Sequence, residues 1–494
     1  MVTIRASRPT RGLEPAPAPS APYSIPEKLV KPWKLPPQKT YILKNAHVVD
    51  PVEGAVLHRV TVKLSQGLIH SVTPGPHPTH PNPDPDDDDD DDDDNTITVD
   101  LAGRYLCPGL IDSHVHLTSV PGSPSLEGAF TAGQPSSFLR QPWAAHQVLR
   151  RGFTTARDCG GASPALRDAI EDDVFPGPRL FLACRALSQT GGHGDRWSGS
   201  GSESSGCGCS GGGGGGNGSS GISLICDGVP ECTRGAREQF RAGADFLKIM
   251  VGGGVASPTD RLAATQFTAA EVRAVCEVAR GQGSWVTAHA YTPGAIRHAV
   301  ANGVTGIEHG NFLDRATAAL MAERGVWLTA TLVTYEALGS GRYAGFLPPV
   351  NREKNQRLVF SWGHAEVLDA GLESLKIAHE AGVKICYGSD LLGPLTAEES
   401  RGFGIHARAL SSKDVLQSAT VNPAKMLRQE AFLGQVKKGF AADLLILNQN
   451  PLEDVSILDR PEDNVLAVIK NGRVYCSRWS GLAEDVREAE RLIE

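Results

Sequence analysis

The sequence lacks the segments that would carry a chain into or across a membrane. No stretch reaches the roughly 18 consecutive apolar residues that a membrane span needs, and residues 1–22 contain no continuous apolar segment of the secretory type. Early arginines and the absence of acidic residues before Glu14 resemble a transit peptide faintly, but the prolines of this segment oppose an amphipathic helix. We therefore expect a cytoplasmic protein with no membrane partner.

The chain also has little net charge outside one segment. Nine consecutive aspartates at residues 86–94 account for the formal charge of −8. Because no basic or acidic field remains without them, no nucleic-acid partner is expected. The ten cysteines are scattered over 494 residues, a length that can bury an ample core without disulfides. This usage indicates free thiols in an intracellular protein.

The two ends of the chain differ in composition from its middle. Residues 1–38 are rich in proline and predict a disordered arm. Residues 39–105 and 430–480 alternate apolar and polar positions around turn signals, which predicts one composite β-sandwich domain built from both ends. The acidic segment at 84–94 is expected to be a solvated loop of that domain, because a run of like charge repels itself.

Residues 106–429 alternate short apolar strands with segments of helical period. This pattern predicts an α/β fold, a (β/α)8 TIM barrel inserted between the terminal segments. A doubly wound sheet is the alternative, but polar residues at the strand ends favour the barrel. The predicted strands are residues 109–116, 154–158, 179–184, 246–251, 285–290, 303–309, 326–332 and 384–390.

A segment rich in glycine, serine and cysteine at 197–221 interrupts the barrel pattern. Ordering so many glycines costs much conformational entropy, so we expect a flexible loop at the mouth of the barrel. Metal binding is the alternative, although the cysteine spacing fits no standard zinc module. The cysteines concerned are Cys207, Cys209, Cys226 and Cys232.

Polar side chains that can bind a metal lie near the carboxyl ends of five predicted strands. His114 and His116 are two residues apart on one strand, so their Cβ atoms face the same side roughly 6 to 7 Å apart and both rings can reach one ion. Each histidine alone could be an ordinary hydrogen-bonded core residue. Barrel enzymes keep their active sites at this end of the strands, and the joint placement predicts a metal site. The candidate ligands are His114, His116, Lys248, His289, His309 and Asp390.

Lys248 lies in the apolar segment DFLKIM. An isolated ammonium group is costly to bury, so this lysine must be paired, neutral or modified. A structural ion pair is one alternative. A neutral lysine can instead react with carbon dioxide, and the two oxygens of the resulting carbamate can bridge two cations.

The motifs GLIDSHVH, DFLKIM, TAHA, GIEHG and GSD resemble those of the amidohydrolase superfamily, in the branch with two metals and a carboxylated lysine. The resemblance covers nearly the whole chain and includes NPAKML and KKGFAADLLIL near its end. The segments ALSQTGGHGD, GADFLKIMVGGGVASPTD and VTAHAYTP are similar to Xaa-Pro dipeptidase (prolidase)-like and imidazolonepropionase-like members, and most of all to ochratoxinase-like amidases. The aspartate run and the enlarged glycine-rich segment depart from the family pattern without touching a ligand.

This resemblance implies a cofactor of two zinc ions, or other divalent metals, with N6-carboxylysine at Lys248. One metal would be bound by His114, His116 and Asp390, and the other by His289 and His309. The carboxylated lysine and a hydroxide would bridge the two ions.

The resemblance also implies roles in the reaction. Asp390 would be the catalytic residue, since it would take the proton from the attacking hydroxide and pass it to the leaving amine. His193 and Tyr291 would contact the substrate, although either could instead brace a loop. Both would lie near the mouth of the barrel.

The implied function is hydrolysis of a linear amide bond in a small molecule. The expected substrates are N-acyl amino acids of the ochratoxin type and dipeptides of the Xaa-Pro or Xaa-Arg type, cleaved by a homo-oligomer. Hydrolysis of a cyclic amide, as in imidazolonepropionase-like enzymes, is the first alternative, and an esterase or phosphotriesterase is another. A non-catalytic assembly protein is a third, but such a protein should lose ligands, and all six are present.

Overall fold

The computed structural model of the chain describes residues 25–75, 95–130, 135–195, 221–257, 260–356, 358–360, 363–365 and 367–486. Three of the sequence-based predictions therefore concern segments outside the described residues, in whole or in large part. These are the first 24 residues of the predicted arm, the acidic loop at 84–94, and the glycine-rich loop at 197–221 apart from its last residue, with Cys207 and Cys209.

The strands of the described residues are short except at the amino-terminal end. They are β1 (Thr40–Asp50), β2 (Ala55–Ser65), β3 (Leu68–Pro74), β4 (Thr96–Asp100), β5 (Tyr105–Pro108), β6 (Leu110–Val115), β7 (Phe153–Asp158), β8 (Arg179–Leu182), β9 (Ala186–Ser188), β10 (Ser223–Ile225), β11 (Leu247–Met250), β12 (Val286–Ala290), β13 (Gly306–His309), β14 (Trp327–Ala330), β15 (Leu358–Phe360), β16 (Gly363–Ala365), β17 (Ile385–Tyr387), β18 (Leu444–Leu447), β19 (Val465–Lys470) and β20 (Arg473–Ser477).

Most of the longer helices lie between the short strands. They are α1 (Glu27–Val30), α2 (Leu126–Ala129), α3 (Pro135–Arg150), α4 (Pro164–Glu171), α5 (Gly228–Ala242), α6 (Ala269–Gly281), α7 (Pro293–Ala301), α8 (Arg315–Glu323), α9 (Leu332–Gly339), α10 (Pro349–Gln356), α11 (Val367–Glu380), α12 (Gly402–Ala407), α13 (Ser412–Ser418), α14 (Val421–Met426) and α15 (Pro461–Asn464). Three 3-10 helices cover Gly341–Tyr343, Gly393–Arg401 and Val455–Asp459. None of the helices in the described part of the chain is both long enough and apolar enough to cross a membrane.

Strands from both ends of the chain share one eight-stranded sheet. Its order is β20-β19-β18-β5-β1-β2-β3, and β4 pairs with β1. The two ends meet at β5, which is parallel to β1 and antiparallel to β18. Because β5 joins both halves, the strands form a single hydrogen-bonded sheet rather than the two sheets expected of a sandwich. The predicted domain boundaries at 39–105 and 430–480 stay a prediction.

The strands of the middle region pair in parallel, in two separate ladders. One has the order β6-β7-β8, and the other β10-β9-β11-β12-β13-β14-β17. Each of the eight predicted strands overlaps one of them, whereas β9 and β10 were not predicted. The predicted closed barrel is not seen, because the hydrogen-bonded ladders of the described strands remain separate and open. The third strand breaks at Cys184, whose φ of 60° is unfavourable for a residue with a side chain, and β17 forms no ladder with β6.

The main hydrophobic core lies between these parallel strands and the helices that connect them. Ile249 of β11 and Ile307 of β13 are completely buried in it, together with Leu149 of α3 and Val275 of α6. Helix α6 begins with a capping box, in which Thr268 and Glu271 each accept a backbone N–H of the other. Since parallel strands bring their carboxyl ends to the same edge, side chains at those ends converge.

Candidate metal centre and substrate pocket

All six predicted ligands line one cavity at the carboxyl ends of the parallel strands. The cavity is about 780 Å³ in volume, its mouth included. Five of the six ligands are almost completely buried, and the side chain of Asp390 is 20% exposed. The structure therefore brings together residues that are up to 276 positions apart, from His114 to Asp390.

Asp390 lies among three of the four histidines. Its Oδ1 is 3.3 Å from Nε2 of His116 and 3.4 Å from Nε2 of His114, and its Oδ2 is 3.8 Å from Nδ1 of His309. One donor atom each from His114, His116 and Asp390 lies within 4.8 Å of the other two. Imidazole nitrogen and carboxylate oxygen are ligands that zinc accepts, so this set fits a divalent metal.

His289 and His309, the other two histidines among the candidate ligands, lie next to the group formed by His114, His116 and Asp390. The ring centroids of His289 and His309 are 4.6 Å apart, and those of His114 and His309 are 5.0 Å apart. His309 and Asp390 have φ values of 76° and 50°, in the left-handed region. Such conformations cost about 1–3 kcal/mol each and cluster at functional sites, where they aim a side chain.

Each of the four histidines uses one ring nitrogen for a contact outside the cavity. Nδ1 of His114 lies 2.7 Å from Oε2 of Glu308, and Nδ1 of His116 lies 2.8 Å from the carbonyl of Gly160. The other two contacts join Nε2 of His289 to the carbonyl of Gly253 at 3.0 Å, and Nδ1 of His309 to the hydroxyl of Thr331 at 2.7 Å. Metal-binding histidines are held in this way by an outer partner, which fixes the ring and leaves the opposite nitrogen for the metal.

Glu308 is the outer partner that the sequence analysis missed. It is completely buried, and its Oε1 accepts hydrogen bonds from Arg157 at 2.6 Å and from the hydroxyl of Thr287. Burial alone would raise the pKa of Glu308, but the charge of Arg157 and the contact with His114 hold it well below its ordinary value. The available signal was the motif GIEHG, where this carboxylate directly precedes a candidate ligand. The buried charge of Arg157 is thus paired with Glu308.

Burial sets the protonation of the histidines. It lowers the pKa of His114 to about 4, with a further lowering by the charge of Lys248, and it lowers the pKa values of His289 and His309 well below their ordinary range. The pKa of His116 is raised, because its contact with Asp390 outweighs burial. Three of the rings are therefore neutral at physiological pH, which is the form that binds metals.

Asp390 is an anion under the same conditions. Burial would raise its pKa, but the neighbouring His114 and His116 outweigh that effect and hold the pKa of Asp390 at about 2. An ionised carboxylate next to three imidazoles can serve as a metal ligand or as a proton acceptor.

Lys248 lies on β11 and is only 1% exposed. Within the described residues, no carboxylate comes within 4 Å of its amine, so the structural ion pair considered from the sequence is not found there. The side chain lines the cavity together with the four histidines and Asp390. A buried lysine without a carboxylate partner suits the modified form, because a carbamate exchanges the cation for an anionic, bidentate ligand.

His193 packs directly on the candidate metal site. Its ring stacks on that of His289 with centroids 4.2 Å apart, and its Nδ1 is 3.4 Å from Oδ2 of Asp260. The other oxygen of Asp260 is 3.3 Å from the amine of Lys354. Burial would raise the pKa of Asp260, but His193 and Lys354 hold it well below its ordinary value. Asp260, which the sequence analysis did not single out, is therefore an anion that faces Nδ1 of His193 without a hydrogen bond to it.

Tyr291 forms another part of the cavity wall. Its hydroxyl accepts a hydrogen bond from Tyr335 at 2.8 Å, and its ring centroid is 4.9 Å from that of His289. The wall is otherwise largely apolar, with a few polar groups at the centre, as is usual for a small-molecule site. Its apolar side chains include Leu126, Phe130, Ile222, Val255, Leu338 and Leu347.

Comparisons with known proteins agree on one relationship. The sequence profile of the Amidohydrolase family matches residues 105–475. Ochratoxinase from Aspergillus niger is 31% identical over 377 residues, which cover 75% of each chain. The crystal structure of a prolidase complexed with N-methylphosphonate-L-proline has a TM-score of 0.77 at 36% identity, covering 89% of this chain and all of that one. The crystal structure of the A. niger ochratoxinase has a TM-score of 0.72 at 26% identity, covering 91% and 99%.

Proposed function

Because the chain belongs to the amidohydrolase family, we propose that it is a zinc-dependent amidohydrolase that cleaves a linear amide bond in a dipeptide or an N-acyl amino acid. The family resemblance predicted from the motifs is confirmed, and it supports a hydrolase. The finer assignment is carried by one observation, the convergence of four histidines, Asp390 and buried Lys248 on a single cavity.

The donor set fits two metal ions better than one. His114 and His116 with Asp390 would hold one ion, and His289 with His309 would hold the other. Lys248, as N6-carboxylysine, would lie between them. Two zinc ions, when bound, supply Lewis acidity, which lowers the pKa of water and polarises a carbonyl.

The residues of the chain supply positioning and proton transfer. Asp390 is ionised and would accept the proton of the attacking water and return it to the leaving amine. His193, whose Nδ1 faces Asp260, and Tyr291, which accepts a hydrogen bond from Tyr335, would contact the substrate at the carbonyl or carboxylate. The apolar wall would exclude water from the reacting bond and bind an apolar part of the substrate.

The substrate class follows from the named relatives and the shape of the cavity. One relative is an ochratoxinase, and a structural neighbour is a prolidase. A cavity with the polar candidate ligands at its centre and apolar side chains in its wall suits an amide whose acyl group or side chain is apolar. We therefore propose Xaa-Pro or Xaa-Arg dipeptides and N-acyl-phenylalanine amides of the ochratoxin type as the substrates to test first.

The quaternary structure, location and barrel closure are parts of the same proposal. Helix α3 exposes three large apolar side chains, with Phe138, Leu139 and Trp143 exposed by 47%, 82% and 54%, which supports a homo-oligomer. The free, buried cysteines of the described residues support a reducing, cytoplasmic location. The order of the parallel ladders, with β6 and β17 at neighbouring ends, supports the (β/α)8 barrel that the family leads us to expect.

The test combines metal content with product release. Purified full-length protein is prepared with and without bicarbonate, and zinc per chain is measured together with free amino acid released from the three substrate types. We expect about two zinc ions per chain, a loss of zinc when bicarbonate is withheld, and release of amino acid. The panel also includes a cyclic amide, because its hydrolysis distinguishes an imidazolonepropionase-like enzyme from one that cleaves linear amides.

Two results would overturn the proposal. A zinc content of one ion or less per chain that does not change with bicarbonate would argue against a carbamate at Lys248 and would favour a non-catalytic relative. Hydrolysis confined to the cyclic amide, or to esters, would keep the metal site and change the bond that is cleaved.

A further inference from the structure

A second cavity lies at the opposite end of the parallel strands. It is lined by Trp285 and Val286 at the start of β12, by Gly306 at the start of β13 and by Trp327 at the start of β14. Its volume is about 890 Å³ with the mouth included. Since the candidate metal centre lies at the carboxyl ends of the same strands, this amino-end cavity is a separate site.

Three cations that line the amino-end cavity have no acidic partner among the described residues, whereas Arg157, which also lines it, is paired with Glu308. Arg280 in the last turn of α6, Lys425 in the last turn of α14, and Arg428 just beyond α14 all line it, and none of the lining residues of the described chain is acidic. In the part of the chain that the structure describes, no carboxylate lies within 4 Å of these three side chains. Lys384 lies close by, 4.9 Å above the ring of Trp327. Unpaired like charges repel one another, and an anion would relieve that repulsion.

Helix ends explain only part of this arrangement. Cations are favoured at the carboxyl ends of helices, and Arg428 donates a hydrogen bond at 2.5 Å to the carbonyl of Gly283, just past α6. The side chains of Arg280 and Lys425 make no hydrogen bond within the described residues. Their side chains remain available to a ligand in the amino-end cavity.

Two buried donors at the same cavity also lack good acceptors. Arg157 is completely buried, and within the described residues its Nη1 donates only to the sulfur of Met426 at 3.5 Å, which is a weak acceptor. The indole N–H of Trp285 is buried and has no hydrogen-bond partner among the described residues. Buried donors are costly to leave unpaired, so their presence points to a ligand that accepts hydrogen bonds.

We propose that the amino-end cavity binds a compact oxyanion of the phosphate class, as inorganic phosphate or as the phosphate group of a small phosphomonoester. Guanidinium groups and a lysine arranged around one space match the several acceptor oxygens of such an anion. The rings of Trp285 and Trp327 are already contacted by Arg428, at 5.1 Å, and by Lys384. Charge and hydrogen bonding, rather than stacking on these rings, therefore recognise the ligand.

The test is calorimetric titration of the full-length, metal-loaded protein with inorganic phosphate and, separately, with glycerol phosphate, at constant ionic strength. The variants are Arg280→Gln, Lys425→Gln and Arg428→Gln. The matched control is Arg234→Gln on α5, whose side chain is 71% exposed. We expect each cavity variant to weaken binding about tenfold or more, since each removes a charge-assisted contact, and the control to leave it unchanged. Tighter binding of glycerol phosphate than of inorganic phosphate identifies the ester as the natural form.

Phosphate could also bind at the metal centre, so the titration is repeated with Asp390→Asn. Binding that persists in Asp390→Asn and is lost in the three cavity variants supports the amino-end cavity. Binding that is lost in Asp390→Asn and kept in the cavity variants overturns the proposal. Absence of binding, or equal displacement by acetate, overturns it as well, because a specific phosphate site should discriminate against a monoanionic carboxylate.

Discussion

Asp390 is joined to His114 by its main chain and by its side chain. Its backbone N–H donates to the carbonyl of His114 at 2.8 Å, and its Oδ1 lies 3.4 Å from Nε2 of the same histidine. Asp112 strengthens this junction, because its Oδ1 accepts the backbone N–H groups of His114 and Ser389. The carboxylate is thus held against the histidines by neighbouring strand ends rather than by a free loop.

Asp390→Asn tests proton transfer by this carboxylate, and the zinc content of the variant separates that role from the proposed role of Asp390 as a metal ligand. The amide has the same size and keeps the main-chain contact, but it cannot accept a proton as the carboxylate does. We expect kcat to fall about 10²- to 10⁴-fold, the range for loss of a general base, with little change in melting temperature. The measurement is steady-state hydrolysis of the best substrate, with zinc content recorded.

The control for this variant is Asp168→Asn on α4, a change of the same kind at a side chain that is 67% exposed. Its activity should equal that of the unmodified protein. If Asp390→Asn kept its activity within a few-fold while binding normal zinc, proton transfer would have to be assigned to another group.

Lys248 should carry a carbamate. We expect protein prepared with ¹³C-bicarbonate and zinc to show a carbamate carbon resonance by NMR, and Lys248→Met to lack it. Methionine preserves the buried chain in the apolar surroundings of β11 but cannot react with carbon dioxide. Lys384→Met, at an exposed lysine near the start of β17, is the control and should keep the resonance. A resonance that survives in Lys248→Met would exclude this residue as the site of carboxylation.

Thr331 should tune metal affinity through His309. Thr331→Val keeps the shape of the side chain and removes the hydroxyl that lies 2.7 Å from Nδ1 of His309. Loss of an outer partner weakens metal binding by about 10- to 100-fold, which competition with a zinc chelator would measure. Thr329→Val is the matched control, because that hydroxyl contacts Arg157 at 3.1 Å and touches no candidate ligand. Equal affinities in the two variants would contradict the role of Thr331.

Much of the site could be predicted because strand ends are readable from the sequence. The segment VTAHA was predicted as a strand ending in a candidate ligand, and β12 is Val286–Ala290 with His289 at that end. Short apolar segments bounded by turn signals define such strands, and parallel pairing then brings their ends together. The six candidate ligands therefore share a cavity as the pattern predicted.

The outer partners could not be predicted, since they depend on which strands become neighbours. Glu308 contacts His114 across 194 positions, and Asp260 reaches His193 across 67 positions. The strand order of the terminal sheet could not be predicted for a similar reason, because the pairing of β5 with both β1 and β18 is a long-range choice. Alternation of apolar residues predicts strands but not their partners.

Asp260 should act on the substrate through His193. In Asp260→Asn the charge that faces Nδ1 of His193 is lost, while the size of the side chain is preserved. A misoriented contact mainly weakens binding, so we expect KM to rise about tenfold with a smaller change in kcat. Asp227→Asn is the control, because this aspartate contacts Thr190 outside the cavity. A fall in kcat with unchanged KM would mean that Asp260 acts on the reaction step and not on substrate binding.

Asp459 should make stability depend on pH below neutrality. Burial raises its pKa to about 7, so the folded protein holds this proton more tightly than the unfolded chain, where the pKa is about 4. The resulting stabilisation is complete below pH about 4 and is lost as the pH rises to about 7. Asp459→Asn cannot ionise, and it keeps an oxygen for the N–H of Gly404, which Asp459 accepts at 2.9 Å. In urea titrations we expect the free energy of unfolding of the variant to be about 1–4 kcal/mol higher than that of the unmodified protein at pH 8. At pH 4 the two free energies of unfolding should be similar. A stability difference independent of pH would show that Asp459 ionises equally easily in both states.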